Sequence, residues 1–202
     1  FSILPLTSTS AIVMEDLTQY IQSYFDTRNE IAEVLAKRFE HQKLARNEFH
    51  TSMGNRFGDL SFIKSGYLRI YRPTEKKEVT QWISSPGEFT TDLGPLMFDQ
   101  PARWNIQAIT DCELYTMSFS DYRKIQEELD EWPQIEKLFL AKCFMTIEDR
   151  IFSFISMTAE ERYHFLLEFK PDLFLQVPHQ YLASMLGMTP ETFSRVRKKI
   201  VS

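Results

Sequence analysis

Between His41 and Phe119 the apolar residues tend to alternate, and five of the six glycines fall in the same span: Gly54, Gly58, Gly66, Gly87 and Gly94. A helix repeats its apolar face every three to four residues, so alternation of this kind reads as strands. Candidate strands are residues 60–64 and 67–72 around Ser65-Gly66, then 78–83, 104–109 and 112–119. Many short strands broken by Gly and Pro turns predict a β-sandwich or β-roll.

The flanks have another rhythm. Residues 14–40 predict two short amphipathic helices, with Leu17, Tyr20, Ile21 and Tyr24 on one and Ile31, Val34, Leu35 and Phe39 on the next. Thr27 is the expected N-cap of the second. Ser120 is the expected N-cap of a helix carrying Tyr122, Ile125 and Leu129, and Pro133 suits the first turn of a longer helix ending near residue 157. Along that helix Leu140, Phe144, Ile147, Ile151 and Phe154 recur at spacings that average three and a half residues. Such a seam predicts a parallel homodimer. Ile135, Phe139, Cys143 and Ile155 form a second apolar set, expected to pack on the β-body. Thr158 and Glu161 predict a capping box for a helix carrying Phe165, Leu166 and Phe169, and a brief helix is expected at 171–175.

The last 26 residues predict two helices and a turn. Pro178 opens the first at its N1 position; Leu182, Ala183 and Leu186 form its buried side. Gly187 ends it in the left-handed region, and Met188 fills the core at the turn. Thr189 caps the second helix, Pro190 sits at N1, and Phe193, Val196 and Ile200 face inward. The outward residues are Glu191, Thr192, Ser194, Arg195, Lys198 and Lys199, with Arg197 at the flank. A small Ala, a turn Gly and inward residues at these offsets define a helix-turn-helix. Its second helix is the one that enters the DNA major groove, where Arg195 can fork onto guanine and Glu191 can accept from cytosine. Thr189, Thr192, Ser194 and the basic run suit phosphates. This end holds Arg195, Arg197, Lys198 and Lys199 against the single acid Glu191, while the whole chain carries −5. A local cationic patch on an acidic body fits a polyanion met at one end.

Other classes fit less well. Two distant cysteines, Cys112 and Cys143, give no disulfide framework or zinc ribbon and fit a reducing cytoplasm. No apolar run approaches membrane-spanning length. Residues 1–13 are expected to form a loose arm rather than a signal peptide, since no basic residue precedes their apolar part. The histidines His41, His50, His164 and His179 give no HxH or HExxH pattern, which argues against a cupin metalloenzyme; no metal, catalytic residue or obligatory cofactor is expected. The alternative is a small-molecule-sensing β-roll whose helical tail binds protein rather than DNA.

The whole order resembles the bacterial Crp–Fnr superfamily of transcription regulators. The most specific stretches are "FIKSGYLRIY" (62–71), "EDRIFSFISMTAEERY" (148–163) and "LASMLGMTPETFSRVRKK" (182–199). The resemblance implies an α+β architecture: a cyclic-nucleotide-binding-like effector domain over 14–131, a dimerisation helix over 132–157 and a helix-turn-helix domain over 158–202. It also implies double-stranded DNA, a second copy of the chain and RNA polymerase as partners. The family's base-reading Glu and Arg match Glu191 and Arg195, and Pro190 replaces an Arg of the cyclic-AMP-responsive member. The family's β-wing, which follows the recognition helix, is expected to be absent or to lie outside the chain, which ends at Ser202. The effector pocket maps onto Gly87, Glu88, Thr91, Asp92, Arg103 and Trp104. There Asp92 stands for a Glu, and Trp104 stands where a small hydroxyl is expected. Ordinary cyclic AMP is therefore disfavoured, and another small-molecule effector, or none, is expected.

Overall fold

A computed structural model describes the backbone of residues 17–201; the expected arm over 1–13, and residues 14–16, lie outside these. The helix predicted from residue 14 is seen from Leu17, as α1 (Leu17–Phe25), and α2 (Asn29–Ala36) follows it. Arg28 occupies the N-cap of α2 without a side-chain bond, so Thr27 does not cap it.

Eight strands follow: β1 (Glu40–Leu44), β2 (Phe49–Thr51), β3 (Leu60–Ser65), β4 (Leu68–Pro73), β5 (Glu78–Ser84), β6 (Phe89–Thr90), β7 (Asn105–Ala108) and β8 (Cys112–Met117). They form two four-stranded antiparallel sheets, ordered β1-β8-β3-β6 and β2-β7-β4-β5. The expected β-roll is present. β3 and β4, separated by two residues, belong to different sheets. The chain turns that corner at Gly66, where φ is +86° and a Cβ would collide with the Asp111 carbonyl oxygen and Cys112 Sγ. A side chain there would open the corner.

Ile63, Leu68, Ile106, Ala108, Cys112 and Leu114 fill the space between the sheets. On the outer face of the first sheet, Leu60 and Met117 join Ile21, Leu35, Tyr122, Ile125 and Ile135 in a helical layer. β3 is consequently buried from Leu60 to Ile63 on both faces, as expected of a strand covered on two sides. The edge strand β1, by contrast, exposes four of its five residues.

Between β6 and β7 lies a short helix, α3 (Leu93–Phe98), capped by Asp92. After β8 comes α4 (Phe119–Glu128), capped by Ser118, whose hydroxyl accepts from the Asp121 amide at 3.1 Å; the cap is Ser118, not Ser120. The long helix α5 runs from Trp132 to Ser156 with Pro133 in its first turn. Its Trp132, Ile135 and Phe139 are buried on the body. Beyond them Phe144, Ile147, Ile151 and Phe154 are exposed, so the predicted seam is open along one face. Ile155, expected on the body, is 79% exposed instead: by that point the helix has run past the helical layer.

α6 (Ala159–Phe169) starts with the predicted capping box, in which Glu161 Oε2 accepts from the Thr158 amide at 2.7 Å. α7 (Asp172–Gln176), α8 (His179–Met185) and α9 (Pro190–Val201) complete the chain. Pro178 is the N-cap of α8 rather than its first residue.

Candidate nucleic-acid interface

The turn between α8 and α9 is built as a Schellman closure. Gly187 stands at φ +70°, the Met188 amide donates to the Ala183 carbonyl at 2.8 Å, and the Gly187 amide donates to the Ser184 carbonyl at 3.1 Å. Two arginines complete the end of α8. Arg150 donates to the Met185 carbonyl at 2.9 Å and Arg162 to the Leu186 carbonyl at 3.1 Å. Cations here also oppose the negative end of the helix dipole. Burial pushes the Arg150 guanidinium down to about 10, so it remains charged at neutral pH. The Phe154 ring lies beneath both guanidiniums, 5.4 Å and 4.7 Å from them, and against Gly187.

α9 begins as predicted. Thr189 Oγ1 accepts from the Thr192 amide at 3.2 Å, and Pro190 is the first helical residue. Phe193 and Val196 are buried with Leu182, Ala183 and Met188. Phe193 also meets the rings of Tyr163, Phe174 and His179. The side chain of Ile200, expected to face inward, lies outside the described residues.

The opposite side of α9 is open. Thr189, Glu191, Arg195, Lys198 and Lys199 are exposed, and Thr192 and Ser194 are half-buried. Pro190, Glu191, Ser194, Arg195, Lys198 and Lys199 line one shallow, open concavity. Among the predicted DNA-facing residues, Arg197 turns aside: its Nη1 lies 2.9 Å from His179 Nδ1 on α8. Lys199 pairs with Glu160 at 3.1 Å. The Glu191 carboxyl is held below the usual carboxylate range by its own backbone amide and by the Thr189 hydroxyl, so it is ionised at neutral pH and acts only as an acceptor. The face thus combines one acceptor, a guanidinium fork and flanking ammonium groups, a set that can read base edges and hold phosphates.

The predicted effector residues do not make one cluster of free side chains. The buried Asp92 carboxylate accepts from the backbone amides of Gly94 (3.0 Å), Arg103 (2.6 Å) and Trp104 (3.0 Å). Arg103 itself is exposed, and the ring of Trp104 lies 5.2 Å from the Arg72 guanidinium. The Thr91 hydroxyl is buried without a protein partner. Gly87 and Glu88 are held elsewhere: the Gly87 carbonyl accepts from the Tyr20 hydroxyl, and Glu88 pairs with Lys170 and accepts from Trp82 Nε1 at 3.2 Å. Sequence patterns gave no sign of the roles of Arg150, Arg162 or Lys170, whose partners are backbone carbonyls and acids brought near only by folding.

No curated protein matches this chain. Residues 41–128 match the cyclic nucleotide-binding domain family. Among solved structures, the chain is similar to the c-di-GMP responsive global regulator CLP of Xanthomonas campestris, with 20% identity and a TM-score of 0.66 over 86% of this chain and 91% of that one. FixK2 from Bradyrhizobium japonicum shares 21% identity with a TM-score of 0.66, over 80% of this chain and 84% of that one. The catabolite activator protein of Thermus thermophilus shares 19% identity with a TM-score of 0.55, over 90% and 86%. These likenesses show a common fold: a cyclic nucleotide-binding β-roll followed by a long helix and further helices.

Proposed function

We propose that this chain is a DNA-binding transcription regulator of the Crp–Fnr type, acting as a homodimer on a two-fold site. One observation carries the reading. α9 buries Phe193 and Val196 on one side and opens Glu191, Arg195, Lys198 and Lys199 on the other, beside an α8 that ends at a left-handed Gly187. That is the geometry of a recognition helix held by its motif partner. Arg195 reads guanine, Glu191 reads cytosine, and Thr189, Thr192, Ser194, Lys198 and Lys199 hold phosphates. Arg197, tied to His179, steadies the packing of α9 on α8.

The dimer forms through α5. Its Phe144, Ile147, Ile151 and Phe154 present an apolar stripe that a single chain leaves in water, while Leu140, also predicted in the seam, is half-buried against the helical layer. Burying it against a second α5 is favourable at about 25 cal/mol per Å². The pair then sets two α9 helices about 34 Å apart, one turn of duplex DNA. RNA polymerase is the expected downstream partner of such a regulator.

Ordinary cyclic AMP is disfavoured as the effector. Three backbone amides that could meet a cyclic phosphate, those of Gly94, Arg103 and Trp104, already serve Asp92. A second anion beside this carboxylate meets like-charge repulsion.

The test is selection of bound duplexes from a random DNA pool, with and without cell extract. The expected result is a two-fold symmetric site whose affinity falls with salt by about 0.9 log units per phosphate contacted for each tenfold rise. A chain that enriches no sequence, or whose binding is indifferent to salt, removes the proposal.

A further inference from the structure

The helix-turn-helix is not loosely tethered to the β-roll. It grips one strand. β5 is the outer strand of the second sheet, and α8 lies along it. An outer strand has backbone groups with no ladder partner. Here the helical end supplies partners for two of them. The Thr80 amide donates to Ser184 Oγ at 2.9 Å. The β4–β5 register slips between Ile70 and Tyr71, which pair with Trp82 and Thr80, so Gln81 is the bulged residue. Its carbonyl accepts from Arg150, whose second arm holds the Met185 carbonyl of α8.

Two more contacts extend this seam. The buried Arg69 guanidinium lies between the rings of Tyr71 and Tyr181, 4.0 Å and 3.9 Å from their centroids, and donates to Thr80 Oγ1 at 2.9 Å and to Glu78 at 2.7 Å. At the far end Lys170 pairs with Glu88 over the Trp82 ring. The Lys170 side chain is only 12% exposed, so this pair is partly desolvated and unlike a loose surface ion pair. Every β-side partner lies on β4, β5 or the turn at Gly87 that follows. The helical partners belong to α5, the end of α6, and α8. None of the seam contacts named here comes from Glu191, Ser194 or Arg195, and the ties shown for Arg197 and Lys199 stay within the helical end.

We propose that this seam is a latch that fixes the pose in which α9 is offered to DNA, with Glu88–Lys170 tying that pose to the Gly87 turn of the β-roll. The consequence for DNA rests on the DNA-binding reading above; the latch itself does not. A two-fold site needs both recognition helices at a set spacing and angle. An unlatched motif samples many poses, and apparent affinity for the paired site falls with the fraction correctly posed. Binding to an isolated half-site needs no fixed pose and is spared.

The test uses the full chain with Ser184→Ala and, separately, Lys170→Gln. Hydrogen exchange without DNA is followed over the β5 peptides, and binding is measured to the pool-selected duplex and to its half-site at one salt concentration. Expected are β5 exchange faster by roughly fivefold to thirtyfold, as losing one or two hydrogen bonds brings, a similar loss on the paired site, and little change on the half-site. Unchanged exchange in both variants overturns the latch. Faster exchange with equal or tighter binding to the paired site overturns its presenting role. A parent chain that selects no duplex removes the DNA reading and that role with it, while exchange at β5 still decides whether the seam is a latch. Lys170→Gln removes no core side chain and keeps the test decisive if Ser184→Ala fails to fold.

Discussion

Replacing Gly187 by Ala tests the physical basis of the motif most directly. The backbone there stands at φ +70°, a conformation that costs an L-residue with a Cβ about 1–2 kcal/mol. A Cβ at this position would also come within 2.6 Å of Phe154 Cε1. That atom is the far end of a ring whose residue is 39% exposed, so a small tilt beneath the Arg150 and Arg162 guanidiniums relieves the contact and adds little. The backbone contribution therefore dominates, and Gly187→Ala is expected to lose about 1–2 kcal/mol. Urea unfolding followed by tyrosine and tryptophan fluorescence reads this as a midpoint lower by roughly 0.5–1 M, for a slope near 2 kcal/mol/M. Gly187→Asn separates the causes. Its Cβ meets the same ring, but Asn tolerates the left-handed region, so it is expected to cost clearly less than Ala. An Ala variant as stable as the parent, or an Asn variant as costly as Ala, refutes the reasoning from backbone conformation.

Three further outcomes are expected. Arg195→Ala relaxes base preference in a duplex competition assay at a cost of about 1–3 kcal/mol, whereas Lys198→Ala weakens all sequences alike and lowers the salt slope. Ile147→Asp puts a carboxylate into the exposed stripe of α5 and converts dimer to monomer in analytical ultracentrifugation; a dimer that persists places the interface elsewhere. Burial holds the His50 imidazole below its ordinary value, against the opposing pull of Asp59, while its ring nitrogens lie 2.9 Å from Thr51 Oγ1 and 2.7 Å from Ser61 Oγ. Below about pH 6.5 the unfolded chain binds this proton first, so the contribution of His50 is present above that pH and lost as pH falls through it. Urea midpoints at pH 7.5 and 5.5 are expected to fall further for the parent than for His50→Gln.

What the sequence disclosed was whatever is decided locally. The Gly187 turn, the Thr189 cap and the Thr158–Glu161 box each depend on residues within a few positions of one another. The alternation of 60–64 and 67–72 likewise showed two strands. It did not show that they lie in different sheets, because sheet membership is set by the distant partners β8 and β5. β1 went unseen because an exposed edge strand reading Glu-His-Gln-Lys has no apolar alternation. α3 was hidden by Gly94 and Pro95, poor helix formers that a capping carboxylate and a buried site nevertheless hold in place. Asp92 was matched to a ligand-reading acid; its actual donors include two amides contributed from Arg103 and Trp104. Ser120 lost the cap to Ser118 because Ser118 stands three residues before the amide of Asp121.

The margins of the two sheets bear on how copies of this protein meet. β1 carries polar residues along its open side, β6 is two residues long, β2 three, and β5 is roofed by α8. None of the four offers a long, flat, greasy template to a strand from another molecule. Fibre-like growth through strand recruitment is thereby discouraged among the described strands, and under the dimer reading proposed above the contact between copies is the helical stripe of α5, which closes after two copies instead of propagating.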